Sequence, residues 1–315
     1  MKCQLCRSAK VKIIRHTLRY NIKRKVCQCQ KCEFVFLESL KSRDERYYQS
    51  KEYRKHYGPR LDKAAKAEEI FNIYLPFQPA IINKISPVLK PHHKILDIGC
   101  STGHFLHSLK GKVKTRVGLE LNKEHVSFIN KNLDFKVYSE PLENLIMKEA
   151  PFDIITCLQV LEHVDEPINF LQAIAKNLKP GGYLYLELPN LDDVLLSGYQ
   201  IKGYEDFYFR EPHVSYFSVK TLKNLLDKAG FAGKIKTIQR YNILNHFNWI
   251  LNGKPQENFA IGNGAPILIN SNKAGKKIKK DLNNFIKITD LKYKKLLAKH
   301  NLGENLSFLG KKISK

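Results

Sequence analysis

The sequence lacks the long apolar segments that would place a chain across a membrane. None of its 315 residues belongs to an unbroken run of 18 or more apolar residues, so no spanning helix is predicted. The start, residues 1–16, also lacks the apolar stretch of a secretory signal. These absences predict a cytoplasmic protein, and a hydrophobic content of 43% predicts one that buries an ordinary core.

Acidic residues are scarce relative to basic ones: 30 Asp and Glu stand against 54 Lys and Arg, a formal net charge of +24. Lysine and arginine neutralise phosphates, so this charge suits a nucleic acid, a phosphorylated small acceptor or peripheral contact with an anionic membrane surface. The sequence is also crowded with Lys, Asn and Ile, a bias typical of AT-rich genomes that raises the net charge without any anionic partner. The charge alone therefore selects none of these partners.

Cysteines are few outside the N-terminus, where five of the seven lie within the first 32 residues. In a chain with no export signal, paired CxxC motifs indicate a metal site rather than disulfides. We predict a structural zinc ion in a zinc-ribbon module over residues 1–40, because four thiolates suit tetrahedral zinc and leave no open coordination position. Cys27 is an alternative ligand to Cys29. The predicted ligands are Cys3, Cys6, Cys29 and Cys32.

From residue 92 onward, short apolar runs alternate with helical segments. Strands are predicted over 94–99, 116–121, 135–139, 152–160, 183–189 and 234–239, and helices over 103–109, 123–132, 167–178 and 221–231. Strands that are apolar on both faces and separated by helices indicate an α/β fold with a parallel sheet.

The alternating pattern defines the main domain, residues 92–240. A connector with helices over residues 41–91 is predicted before it, and a basic, partly helical extension over residues 241–315 is predicted after it. An apolar stripe in the extension predicts a solvated amphipathic helix that packs on the domain.

The loop that follows the first strand of this domain is the most informative segment. A buried strand brings Asp97 to its end, and the turn that follows contains Gly99, Ser101 and Gly103, small residues that leave room for a ligand. About twenty residues later the second strand ends in Glu120, a carboxylate that can accept hydrogen bonds from both hydroxyls of a ribose. The loop alone suits either a dinucleotide or S-adenosylmethionine.

The motif DIGCSTG (97–103) resembles the first motif of class I S-adenosylmethionine-dependent methyltransferases, although Ser101 is often glycine there. Residues 152–167 and 178–190 are similar to the family's fourth-strand and fifth-strand motifs. The resemblance implies a Rossmann-like fold with a mostly parallel seven-stranded sheet, S-adenosylmethionine as cofactor, and Gln159 near the methionine portion of that cofactor. It also implies that the adjacent Glu162 and His163 are structural, with an acid–base role as the alternative.

Residues 209–218, FREPHVSYFS, resemble the HEHxSYFS segment of zinc-containing sugar C-methyltransferases, which also carry an N-terminal cysteine module. The resemblance implies that Glu211 and His213 are catalytic, with His213 as the general base. The alternative is that His213 and Tyr216 only fix the loop by hydrogen bonds. Arg210 replaces the first histidine, and the chain is too short for the large C-terminal domain of those enzymes, which favours a shorter O- or N-methyltransferase.

The function that follows is methyl transfer to a small molecule. The preferred acceptor is a sugar or nucleotide-linked sugar, including a phosphorylated one, in surface-polysaccharide or natural-product biosynthesis. One alternative is an RNA methyltransferase that uses the cysteine module and the basic surface. Another is a protein that keeps the fold but does no catalysis.

Overall fold

A computed structural model describes residues 1–38, 65–256, 259–271 and 273–313. Residues 41–60, the first part of the predicted connector, lie outside the described residues. Eleven strands occur in the described part of the chain. Their bounds are β1 Val11–Thr17, β2 Lys23–Cys29, β3 Val35–Leu37, β4 Lys94–Ile98, β5 Thr115–Leu119, β6 Lys136–Tyr138, β7 Phe152–Leu158, β8 Leu178–Pro189, β9 Ser215–Tyr216, β10 Phe231–Ile238 and β11 Asn305–Lys312.

The helices of the described ranges alternate with the strands from residue 94 onward, as predicted. Their bounds are α1 Ala67–Tyr74, α2 Gln78–Ile85, α3 His104–Ser108, α4 Lys123–Asn132, α5 Pro167–Asn177, α6 Val194–Ser197, α7 Lys202–Tyr208, α8 Val219–Lys228, α9 Ile243–Asn252, α10 Phe259–Asn263 and α11 Lys276–Lys299. Within these ranges, no helix is both long enough and apolar enough to cross a bilayer.

The main sheet has seven strands in the order β10-β11-β8-β7-β4-β5-β6. Strands β8, β7, β4, β5 and β6 are paired in parallel, and β11 runs antiparallel to both of its neighbours. This arrangement confirms the predicted Rossmann-like fold with its mostly parallel seven-stranded sheet.

Apolar residues on both faces of the central strands explain why helices cover the sheet on both sides. In β4, Leu96 and Ile98 belong to one buried cluster and Ile95 belongs to another. Successive side chains of a strand point to opposite faces, so each face buries its own layer. Asp97 is the polar exception in this strand, and it stands one residue before the strand ends.

One predicted boundary differs from the structure. The sequence predicts a strand at 183–189, whereas β8 already begins at Leu178. The pairing of β7 with β8 is irregular between Phe152 and Ile154, and Gly181 has a φ of +70°. This local irregularity lets the Pro-Gly-Gly segment remain within the extended strand.

The seventh strand comes from a part of the chain for which the sequence predicted only a basic, partly helical extension. Strand β11 inserts between β8 and β10 and buries Leu306 and Phe308. Gly233 and Gly310 let β10 and β11 approach closely, because a Cβ on Gly233 would lie 2.3 Å from the Cα of Gly310. The extension therefore supplies a strand to the sheet as well as helices.

The predicted amphipathic helix of the extension exists as α11, and only part of its predicted apolar stripe packs on the domain. Ile286 is buried, whereas Phe285, Ile288 and Leu291 are exposed. The helix packs instead through a face that includes the buried Asp290, whose carboxylate accepts a hydrogen bond from the backbone N–H of Ile243.

Candidate active site

The loop between β4 and α3 adopts an uncommon backbone conformation that needs small residues. Gly99, Ser101 and Gly103 have φ values of +70°, +50° and +79°, in the left-handed region that favours glycine. A Cβ on Gly99 would lie 2.4 Å from Cγ2 of Val160, and one on Gly103 would lie 2.7 Å from Cζ of Phe135. The sequence predicted that small residues leave room for a ligand; the structure adds that both glycines pack against the protein itself.

Glu120 fastens this loop to the end of β5. One carboxylate oxygen accepts a hydrogen bond from the backbone N–H of Ser101 at 2.7 Å, and the other accepts one from the N–H of Asn122 at 2.8 Å. Burial raises the pKa of Glu120 to about 6, although these N–H groups favour its ionised form. Each oxygen keeps a further lone pair with which to accept a ligand hydroxyl.

Asp97 lies beneath the loop, with 2% of its surface exposed. Its carboxylate accepts a 2.6 Å hydrogen bond from the hydroxyl of Thr156 on β7. Burial raises the pKa of Asp97 to about 7; the Thr156 hydrogen bond opposes the shift and the nearby Glu120 adds to it. Two ionisable carboxylates therefore face one short loop.

Gln159 directly follows β7 and has a φ of +57°. Its N–H donates to the carbonyl of Glu187 at 2.7 Å, and its side-chain amide donates to Oδ1 of Asn305 on β11 at 3.0 Å. The predicted cofactor residues thus lie at the carboxyl ends of β4, β5 and β7, along the one edge of the sheet where α/β proteins bind ligands.

The predicted catalytic segment meets this edge through the turn that follows β7. The backbone N–H of Val214 donates to the carbonyl of Glu162 at 2.9 Å, which brings the predicted base, His213, beside Glu162. His213 is 3% exposed, and its Nε2 lies 3.9 Å from Oε1 of Glu162. Glu211, the other predicted catalytic residue, is half-buried. The Tyr216 hydroxyl donates to the Arg210 carbonyl and accepts from the Arg210 backbone N–H, each at 3.1 Å.

Glu162 is a site residue whose closeness to His213 the sequence did not predict. Glu162 is 1% exposed, and neither oxygen of its carboxylate has a hydrogen-bond partner among the described residues. Burial raises its pKa to about 8, against the opposing charge of Arg210. His163 also lies 3.9 Å from this carboxylate, and its Nδ1 is 2.9 Å from the Pro212 carbonyl. The EH pair, which was expected to be structural, forms one cluster with His213.

Both imidazoles of this cluster are held neutral. Burial lowers the pKa of His163 to about 4, and burial together with the Arg210 charge holds the pKa of His213 well below its ordinary value. Arg210 donates its Nε–H to Nε2 of His213 at 3.0 Å. An ionised Glu162 would offset these effects, so the protonation states of Glu162 and His213 depend on each other.

The cluster also has metal-ligand spacing, because ligand atoms of Glu162, His163 and His213 lie within 4.8 Å of one another. However, the Arg210 guanidinium already donates to the nitrogen of His213 that would bind a metal, and it places a positive charge there. This contact opposes the binding of a divalent cation at that nitrogen.

Residues far from the predicted motifs also reach the site. Tyr74 of α1 stacks on His104 at a centroid distance of 5.4 Å, and the charges of Arg210 and Arg240 act on its hydroxyl. Burial raises the pKa of Tyr74 to about 12. Arg240 forms an ion pair with the buried Glu187 of β8. No local pattern distinguishes these residues, because they come from segments before β4 and after β10.

The four predicted zinc ligands lie close together in the cysteine module. Sγ of Cys3 lies 3.5 Å from Sγ of Cys32, and the same distance separates Cys6 from Cys29. All four sulfurs lie within 4.8 Å of one another, whereas Cys27 is not in the group. Sulfurs at these distances are not disulfide-bonded, and around a tetrahedral zinc with bonds of about 2.3 Å they would stand roughly 3.8 Å apart. The geometry therefore fits a zinc ion.

This module contacts the catalytic segment directly. Its three strands continue into β9, with Phe36 opposite Ser215 and Val35 opposite Tyr216. The N–H of Leu37 also donates to the carbonyl of Val214 at 3.0 Å. The residues that follow His213 are thus part of the sheet that the cysteine module builds.

A family profile described as a methyltransferase domain matches residues 71–234, more than half of the chain. The chain belongs to the methyltransferase domain family. This membership confirms the resemblance to methyltransferases that the sequence motifs predicted. The match begins at Phe71, so α1 and α2 lie within the matched region.

Relatives of this methyltransferase domain act on different acceptors, according to their names. The ubiquinone biosynthesis O-methyltransferase of Thiobacillus denitrificans is 29% identical over 104 residues, 31% of this chain and 44% of that protein. The chain thus matches less than half the length of these relatives. The tRNA U34 carboxymethyltransferase of Campylobacter fetus is 29% identical over 216 residues, covering 62% of this chain and 72% of that protein.

Solved methyltransferase structures resemble the domain at low identity. A SAM-dependent methyltransferase from Archaeoglobus fulgidus is 20% identical, with a TM-score of 0.49, and the match covers 78% of this chain and 97% of that one.

Proposed function

We propose that the protein transfers a methyl group from S-adenosylmethionine to a hydroxyl of a small-molecule acceptor. The observation that carries this proposal is the position of the Glu162–His213 pair: Val160, two residues before Glu162, packs against Gly99 of the glycine-rich loop. An acid–base pair next to a cofactor loop suits an acceptor that must lose a proton before it is methylated.

The cofactor loop fits S-adenosylmethionine. Glu120 offers two carboxylate oxygens for the ribose hydroxyls, and Asp97 adds negative charge that suits a cationic ligand. Ser101 and Gly103 keep the backbone close to this space, and Gln159 borders it from β7. When bound, S-adenosylmethionine supplies an electrophilic methyl group, and the acceptor must supply the nucleophile.

His213 is proposed to take the acceptor proton after the Arg210 guanidinium, which donates to its Nε2 in this structure, has moved away. Glu162 then lies beside the imidazole. The 3.9 Å separation of Nε2 and Oε1 is longer than a hydrogen bond, but such contacts commonly tighten when substrate binds. An ionised Glu162 would then stabilise the protonated imidazole, much as a carboxylate does behind a catalytic histidine. Glu211, predicted from the family resemblance, keeps a proposed supporting role.

Three matched variants test the pair. We expect Glu162→Gln and His213→Ala to lower kcat by about 10²- to 10⁴-fold, because general-base catalysis contributes that much. Affinity for S-adenosylmethionine should stay unchanged in both. The control is Glu166→Gln, the same chemical change at an exposed position nearby. The proposal would be contradicted if Glu162→Gln and His213→Ala kept the kcat and the pH profile of the wild-type protein.

The acceptor is best assigned by tritiated methyl transfer to a panel of catechols, sugars, nucleotide sugars and bulk tRNA. One relative named above is an O-methyltransferase of ubiquinone biosynthesis and the other is a carboxymethyltransferase of tRNA U34, and neither name includes a sugar. The resemblance at residues 209–218 is therefore the remaining support for a sugar acceptor. RNA is the second candidate, favoured by the longer match to the tRNA enzyme and by the net charge of +24. Absence of transfer to every acceptor would favour the non-catalytic alternative.

We also propose that Cys3, Cys6, Cys29 and Cys32 hold a structural zinc ion, on the basis of their sulfur distances. Four protein ligands leave no open position, so the ion would stabilise the module rather than act on substrate.

A further inference from the structure

Exposed apolar side chains concentrate in the insertion between β10 and β11. Of the 18 large apolar side chains that are exposed in the described part of the chain, 11 lie between Phe247 and Leu296. Single exposed apolar residues are normal on protein surfaces, but clusters of them mark interaction sites. This concentration indicates that the insertion binds a partner with an apolar component.

Helix α11 carries the most regular part of this surface. Its inward face includes Ile286 and Leu297, which are each 5% exposed. Four large apolar side chains of the helix point away from this face and are exposed: Ile278, Phe285, Ile288 and Leu296, at 50%, 62%, 54% and 56%. At about 100° per residue, Ile288 lies opposite the inward face, and the other three lie along one flank, roughly 90–110° from it. We call these four residues, together with Leu291, the outer face of α11.

The same helix is strongly basic. It contains nine lysines and two aspartates within its 24 residues. Asp290 is buried and paired with Lys294 at 3.1 Å, so Asp281 is the aspartate that remains to oppose the lysines on the solvent side. The partner of the outer face must therefore combine negative charge with an apolar interior.

Hydrogen bonds to helix α9 hold helix α11 on the domain, with its outer face toward solvent. Its Tyr293 hydroxyl is 2.8 Å from Nδ1 of His246, and Asp290 accepts from the N–H of Ile243, so α11 and α9 are joined at two points. Helix α9 adds exposed side chains at Phe247, Ile250 and Leu251.

We infer that the outer face of α11 binds the surface of an anionic lipid bilayer, with its apolar side chains in the headgroup–acyl boundary and its lysines against lipid phosphates. A helix of this composition lies in the interface rather than across the membrane. Each lysine near an anionic surface strengthens the attachment.

Other partners fit less well. A second copy of the chain would bring one lysine-rich helix against another, a repulsive arrangement. A nucleic acid would satisfy the lysines but would leave Phe285 and Ile288 without an apolar environment. An anionic bilayer satisfies both kinds of side chain.

The test is co-sedimentation of the full chain with vesicles of phosphatidylcholine alone or of phosphatidylcholine with phosphatidylglycerol. We expect binding to the anionic vesicles, weakening as salt is added. The double variant Phe285→Ser/Ile288→Ser should lower that binding about tenfold or more, because two apolar side chains no longer enter the lipid. The control is Ile13→Ser/Ile14→Ser, a pair that is 45% and 41% exposed on β1.

Circular dichroism and S-adenosylmethionine affinity should be unchanged in both double variants, which separates lipid binding from folding and from the proposed activity. Wild-type protein that ignores anionic vesicles would overturn the inference, and so would equal binding by the Phe285/Ile288 variant. Sedimentation velocity without lipid adds a further check: a dimer that only this variant abolishes would assign the face to a second copy. RNA binding lost only in this variant would assign it to nucleic acid.

Discussion

Asp97 and Glu120 stand at the ends of neighbouring strands, and both have raised pKa values because they are buried: about 7 and about 6. A cationic ligand with ribose hydroxyls binds the ionised carboxylates in preference to the protonated ones. The affinity for this ligand is therefore highest at a pH above both pKa values, and it falls as the pH drops through them. The two residues make the cofactor site sensitive to mild acid.

We expect affinity for S-adenosylmethionine to be constant above about pH 8 and to fall below about pH 7, by at most about tenfold per pH unit for each carboxylate that must be ionised. Calorimetric titration across this range measures it. Asp97→Asn should remove the upper of the two steps, whereas Glu166→Gln should leave the profile as in wild type. An affinity that does not change between about pH 8 and about pH 5.5 would refute the assignment of these carboxylates.

At the residue level, the sequence predicted those positions whose roles follow from a local motif. Asp97, Gly99 and Gly103 adjoin one another in the chain, and Glu120 ends the next strand. The pairing of Glu162 with His213 could not be predicted in the same way, because it depends on a backbone hydrogen bond between Val214 and Glu162 across distant segments. Tyr74 and Arg240 reach the site by tertiary packing alone.

Among the elements, β3 and β9 connect the cysteine module to the catalytic segment. The pairing of Phe36 with Ser215 lies two residues from His213. A module of this size has little core without its metal, so loss of a ligand should loosen β3 and with it the catalytic segment.

Cys29→Ser should therefore lower kcat by about 10²-fold, the cost of misplacing a reacting group by about 1 Å, with little change in S-adenosylmethionine affinity. The matched control is Cys27→Ser, which changes a fully buried cysteine outside the group of four. Zinc content by mass spectrometry and single-turnover rates check both variants. If Cys27→Ser loses zinc and activity while Cys29→Ser keeps them, the ligand assignment is wrong.

Most strands of the main sheet were predictable because strands that are apolar on both faces stand out between helices. Strand β11 was not, since Asn305–Lys312 ends in Gly-Lys-Lys within a lysine-rich segment, and its place between β8 and β10 depends on long-range pairing. Helix α11 shows the converse case: an apolar stripe at helical spacing predicted packing, and Ile286 packs, yet Phe285, Ile288 and Leu291 of the same stripe face solvent.

On the scale of the whole molecule, the chain joins three parts around one sheet edge. The methyltransferase domain supplies the cofactor loop and Glu162, the cysteine module positions the segment that carries His213, and the insertion before β11 adds a basic, partly apolar surface. The parts are coupled, because β9 belongs to the module's sheet and Asn305 of β11 accepts a hydrogen bond from Gln159 beside the cofactor loop.

Calorimetric titration of the full chain with S-adenosylmethionine tests the central claim most directly. The account predicts saturable binding of one molecule per chain, abolished in Glu120→Ala while circular dichroism shows an unchanged fold. Wild-type protein that binds no S-adenosylmethionine, or a Glu120→Ala variant that binds it with wild-type affinity, would contradict the account.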